Sequence, residues 1–185
     1  MKRAHRWGWI ALGTTGALVL IARRRRTPAG ATSLGSPLEA SGTPATTPHG
    51  YFGAFRDGPP VHTHQGVDLA APPRSQVLAV GDGVIVATDP GLGKIVRKLR
   101  LDSAASFSEG AESVEAIVYA DLGKPLVEPG QRVHKGDAIA LVSPAGFVHF
   151  AVKAKSSRGE TFIDPKRAGF AYRSSAPSEA SKWNA

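Results

Sequence analysis

Six short apolar runs, rich in Val and Ile, constrain what this chain can fold into. They span residues 76–80, 83–87, 95–101, 114–120, 138–142 and 148–154. Each has the length of a strand, and no stretch between them carries a long helical period. Gly81 and Asp82 suit a tight hairpin turn between the first two runs. Pro129-Gly130 and Lys135-Gly136-Asp137 mark two later turns. Residues 102–113, DSAASFSEGAES, read as a polar loop between strands. The pattern predicts an all-β domain, mostly antiparallel. In the last run Val148, Phe150, Val152 and Ala154 share one face, which is apolar and reads as core. Phe147, His149, Ala151, Lys153 and Lys155 share the other, more open face.

Charge is distributed unevenly along the 185 residues. There are 23 Lys+Arg against 15 Asp+Glu, a formal net charge of +8. Lys2, Arg3, Arg6 and Arg23 to Arg26 supply seven of the positive charges, which leaves 16 against 15 beyond residue 26. The basicity belongs to the N-terminus, so the main domain is not read as binding nucleic acid. There is no Cys. That excludes disulfides, Cys-ligated zinc, iron–sulfur clusters and a Cys nucleophile.

Residues 7–22, WGWIALGTTGALVLIA, carry no charge and are bracketed by Lys and Arg. A membrane-spanning helix needs about 17–25 residues, and snorkelling Arg side chains extend a short one. Trp7 and Trp9 stand where an interfacial aromatic belt would lie. A cleaved signal peptide has a similar core, but four arginines directly after the apolar run are poor surroundings for cleavage. The expectation is one transmembrane helix within a membrane anchor, residues 1–26. Flanking charge alone slightly favours a cytoplasmic C-terminal domain.

Residues 27–48 are rich in Pro, Gly, Ala, Ser and Thr and read as a semi-extended linker. The near-absence of charge there, with the kind of substrate considered below, favours a single-pass protein whose domain faces the periplasm or exterior. The β domain is expected over residues 49–170, followed by a polar tail, 171–185.

His64-Gln65-Gly66-Val67-Asp68 precedes the first strands. His and Asp both ligate zinc, and tetrahedral donors lie about 3.3 Å apart. Five extended residues would separate their ends by roughly 13 Å, so the segment must curl, which Gly66 permits. A catalytic site needs three protein ligands, and His149 is the best third by face. On spacing alone, a solvated His and a turn-capping Asp remain the blander reading.

HQGVDLAAP, then QVLAVGDGVIVA, VYADL, VEPGQRVHKGDAIALV and FVHFAV resemble, in that order, the lysostaphin-type zinc metalloendopeptidases. These enzymes cut peptide bridges in bacterial peptidoglycan. The resemblance runs from about residue 50 to 165. It implies a compact antiparallel sheet of the duplicated-hybrid-motif type with a groove across it. It also implies a Zn2+ cofactor and zinc-ligand roles for His64, Asp68 and His149.

Two positions depart from the family pattern. Phe147 stands where the family's His-x-His has its first histidine, and Asp121 where its Tyr-x-His-Leu has its histidine. In the family these two serve the attacking water, taking its proton and stabilising the oxyanion. Phe147 can do neither. Asp121 can accept a proton but would repel an oxyanion. His62 and His134 are the conceivable substitutes, and both read better as loop residues. Zinc ligands kept without these histidines admit two outcomes. One is a slow hydrolase acting on peptidoglycan. The other is a non-catalytic regulator or wall-binding module, with another cell-wall hydrolase as partner. Residues 127–142 also resemble the hammerhead segment of biotinyl and lipoyl carriers, but no Lys sits in the exposed hairpin they require. Glucose-type phosphotransfer domains carry a His-x-Gly-x-Asp segment after the Val-rich strands, whereas His64 precedes them.

Overall fold

A computed structural model describes residues 34–39, 42–57, 61–86, 96–106 and 113–175, residues 103–106 by their backbone. The expected anchor, residues 1–26, lies outside these. Among the described residues no helix is long and apolar enough to cross a membrane.

The described chain is all-β apart from one 3-10 turn, Pro165–Ala168. A short hairpin comes first, β1 (Phe55–Arg56) with β2 (His62–Thr63). There follow β3 (Val67–Ala70), β4 (Gln76–Leu78), β5 (Gly83–Val86), β6 (Arg97–Ser106) and β7 (Ser113–Ala120). The remainder are β8 (Leu122–Pro125), β9 (Arg132–Val133), β10 (Ala138–Val142), β11 (Phe147–Ser156) and β12 (Gly159–Ile163). All pairings between these strands are antiparallel. A seven-stranded sheet runs β12-β11-β7-β6-β5-β9, with β3 on the first half of β11. A three-stranded sheet runs β4-β10-β8.

The core follows from strict alternation. Val148, Phe150, Val152 and Ala154 of β11 are all buried. Their cross-strand partners Leu69, Val67, Tyr119 and Ile117 are buried with them. One further strand along, Leu99 pairs with Ile117 and Ile85 with Leu99, both fully buried. Val77, Ile139 and Val142 of the small sheet belong to the same cluster. Tyr119 packs edge-on against Phe150, which packs edge-on against Phe170. The opposite face of the large sheet is the more open one, as the alternation of 147–155 requires.

Three expectations are corrected. Gly81 and Asp82 do not close a hairpin, because β4 and β5 lie in different sheets. One edge of β4 pairs with β10 and the other is bridged by Leu38, so β5 pairs instead with β6 and β9. Residues 102–106 are strand rather than loop. Ala105 pairs with Val114 and Ser106 with Ser113 beyond a bulge, which lets a polar stretch continue the ladder.

The third correction concerns the linker, whose second half lies against the domain. Leu38 is only 3% exposed and bridges Val77. The Gly35 N–H donates to the Val80 carbonyl, and the Leu78 N–H to that of Pro37. Further on, the Ala70 N–H donates to the Ala45 carbonyl and the Thr47 N–H to that of Asp68. The Asp68 N–H donates in turn to the Gly50 carbonyl. Residues 45–50 are therefore the outer neighbour of β3. Residues 171–175 join them: Tyr172 is buried, Arg173 bridges Ala45, and the Thr46 and Ser175 hydroxyls hydrogen-bond. One leucine and a run of backbone partners are enough to dock a segment that composition alone assigns to a tether.

Candidate metal centre

His149 lies in the middle of a three-strand row, with Asp68 of β3 on one side and Ala120 of β7 on the other. Register therefore puts His149 and Asp68 directly opposite each other on the open face. His64 enters from the turn before β3. Its backbone is held by the Ala54 carbonyl, and its own carbonyl accepts from Gly53.

The three side chains converge. His64 Nε2 lies 2.9 Å from His149 Nδ1. Asp68 Oδ1 lies 3.0 Å from His149 Nδ1 and 3.2 Å from His64 Nε2. The donor edges of a tetrahedral zinc site with N and O ligands are about 3.3 Å. One face of that tetrahedron thus has nearly the size of this triangle, and two imidazoles with one carboxylate suit zinc. Among the described residues, this is the group able to hold a metal ion.

The surroundings orient each donor. The Tyr51 carbonyl lies 3.1 Å from His64 Nδ1 and can only accept, so Nδ1 carries the proton. That aims Nε2 at the cluster, the usual outer-shell arrangement for a ligating histidine. Asp68 gives Oδ1 to the cluster, while Oδ2 accepts from Arg56 Nη2 at 2.7 Å. Burial pushes the Asp68 carboxyl up. Hydrogen bonds and charge from His149 and His64 outweigh it and hold the carboxyl well below the usual carboxylate range. The His64 side chain is 6% exposed, Asp68 12% and His149 21%, so solvent reaches the cluster from the His149 side.

Gly66 is explained by space rather than by conformational freedom, for its φ is not positive. A Cβ there would lie 2.7 Å from His149 Cε1, 2.8 Å from Nε2 and 2.8 Å from the Phe150 carbonyl oxygen. The His149 ring occupies the place of the missing side chain.

The other singled-out residues are not among the donors of the triangle. Phe147 shares the open face with His149, two residues along β11, and pairs with Ala70. Asp121 forms the corner between β7 and β8 at φ 55°, a left-handed conformation that Asp and His tolerate better than most residues. His62 is exposed on β2, opposite Arg56. His134 is exposed in the 134–136 turn, with Nδ1 3.7 Å from Asp82. Sequence reasoning missed Arg56, whose only local signal is a lone Arg eight residues before the first ligand.

Comparison with known proteins now bears on this geometry. The sequence matches peptidase family M23 over residues 62–160, more than half of the chain. The chain belongs to that family. Among solved structures, CbpA from L. salivarius REN shares the fold, at 22% identity and a TM-score of 0.53 over 75% of this chain and 95% of that one. The catalytic domain of lysostaphin from Staphylococcus simulans matches at 24% identity, covering 68% of this chain and 87% of that one, TM-score 0.43. A zinc-containing peptidase from Vibrio cholerae matches at 23% identity over 66% of this chain, TM-score 0.49. The chain spans 37% of that peptidase's length. The M23 match starts at His62 and ends at Glu160, so it takes in the whole triangle, the hairpin strand β2 and the open face of the large sheet.

Proposed function

We propose that this M23 domain is a zinc metalloendopeptidase-like module of the cell envelope that acts on or binds peptidoglycan peptides, with its turnover impaired. The observation that carries the reading is the triangle of His64, Asp68 and His149, with edges of 2.9–3.2 Å. Zinc held there would polarise a scissile carbonyl and lower the pKa of water toward about 7. The protein's own part is to aim His64 Nε2 at the cluster, to hold Asp68 ionised, and to leave the His149 side open for substrate. Phe147 supplies no proton acceptor on that open face, and Asp121 supplies an anion where the family places a histidine. Loss of a positioned general base typically removes about 10²–10⁴ in rate. The same two positions support the second reading, a non-catalytic regulator or wall-binding module. Residues 7–22 are proposed to anchor the chain, with the domain outside the cytoplasm; a reporter fused after Ala185 tests that orientation.

Zinc analysis and a turnover assay on cross-linked peptidoglycan test the function. One zinc per chain and weak or absent cleavage are expected. Phe147→His with Asp121→His should raise cleavage by on the order of 10²-fold or more. A chain without zinc after metal-replete purification refutes the ligand assignment. Cleavage by the natural sequence at an ordinary enzymatic rate refutes the impairment. Normal zinc binding with no gain in the double variant favours the non-catalytic module.

A further inference from the structure

The open face of the large sheet does more than expose the triangle. In the row of His149, the neighbour on β7 is Ala120. One row along, Ala151 pairs with Val118, which pairs with Lys98. In the next row Lys153 pairs with Ala116, which pairs with Arg100. Ala116 leaves the floor low in the row of Lys153 and Arg100, and a hollow of about 540 Å³ lies there. Its cations are Lys98, Arg100 and Lys153, and its anions are Glu115 and Glu160.

The anions are already engaged. Lys153 Nζ donates to Glu160 at 2.8 Å, and Lys155 lies 3.6 Å from Glu115. Among the described residues no carboxylate lies at ion-pair distance from Lys98 or Arg100. Lys98 acts on Glu160 from beyond ion-pair distance, so the hollow holds three cations against two carboxylates, and Arg100 has the least direct counter-charge. From His149 to the backbone of Lys98 and Arg100 is two and four residues along the strands and two strands across, about 12 and 16 Å. An extended peptide covers such distances in about four residues.

We propose that this hollow is a carboxylate subsite. A peptide lying along the open face, with its scissile bond at the triangle, places a carboxylate about four residues away against Lys98 and Arg100. The inference deepens the functional reading above and rests on it. It narrows the substrate to peptides carrying a free carboxylate at that distance, as opposed to uncharged bridges.

The test is binding rather than cleavage. The zinc-loaded full-length chain in detergent is titrated with dye-labelled peptidoglycan stem peptides, in one series with free carboxylates and in another with the carboxylates amidated. Free stems should bind about tenfold or more tighter than amidated ones, a difference that shrinks with added salt. Lys98→Ala with Arg100→Ala should erase the difference, while Lys98→Arg with Arg100→Lys should keep it. Equal affinity for free and amidated stems overturns the subsite, as does a difference that survives the double alanine variant. Absence of binding to either stem overturns it too. Zinc content measured on the same preparation is independent of all three outcomes, so failure of the subsite is distinguishable from failure of the metal reading.

Discussion

Replacing Gly66 by Ala would put a methyl carbon 2.7 Å from His149 Cε1 and 2.8 Å from both His149 Nε2 and the Phe150 carbonyl oxygen. Ordinary contact for a Cβ begins near 3.4 Å, so something must give by about 0.7 Å. The Phe150 carbonyl belongs to β11, which is paired on both sides with β3 and β7 and cannot retreat cheaply. The imidazole is the softer party, and it must swing away from the cluster. That breaks contacts of 2.9 and 3.0 Å at Nδ1. Overpacking of this kind costs about 1–3 kcal/mol in the metal-free fold. Displacing a ligand as a misplaced supporting residue does should weaken zinc by at least about 10–100-fold. Competition against a chromophoric chelator measures the second quantity, and denaturant melts of the metal-free chain measure the first. Zinc affinity within twofold of the natural sequence would refute the argument from space.

Arg56→Ala removes the group that holds Asp68 Oδ2 at 2.7 Å, and should weaken zinc by about 10–100-fold in the same chelator assay. Unchanged affinity would show that Asp68 is held by β3 alone. Tyr119→Phe leaves the Val80 N–H without the hydroxyl it donates to at 3.1 Å, at a cost of about 1–3 kcal/mol in denaturant melts. Burial raises the Tyr119 hydroxyl above the ordinary tyrosine value of about 10, only partly offset by the Val80 N–H. Its neutral form is favoured on folding, so that stability is complete below about pH 10 and lost as pH rises beyond it. The Phe variant should show a shallower fall in melts above that pH, and an unchanged slope would contradict the assignment.

The parts of this fold that sequence could show are those governed by period and by side chain. Strand β11 is the clearest, since its apolar residues alternate without interruption and place His149 on the open face. The strand at 138–142 is also present with the bounds its composition suggests. What could not be read is governed by pairing at a distance. Gly81 and Asp82 look like a hairpin turn, yet which edge β4 offers depends on β10, some sixty residues later, and on Leu38. Residues 102–106 have a loop's composition, and only the partners on β7 make them strand. The ligands His64, Asp68 and His149 were legible because their order and spacing resemble a family pattern. Arg56 was not, since a single Arg acquires its role only when the β1–β2 hairpin brings it to Asp68. Gly66 was singled out for the wrong reason: flexibility is visible in sequence, whereas the volume of a ring arriving from 83 residues away is not.

The docking of residues 34–38 and 45–50 changes how far such a domain can stand from a surface. A free segment from residue 27 to 48 would have a contour length of roughly 75 Å at full extension. With Gly35 held through its N–H by the Val80 carbonyl, at most about eight residues intervene after Arg26, or no more than roughly 25–30 Å. A domain held in a membrane through residues 1–26 would then work on a short leash. It would meet only the layer of wall nearest its own bilayer, and a peptide lying farther out would have to come to it.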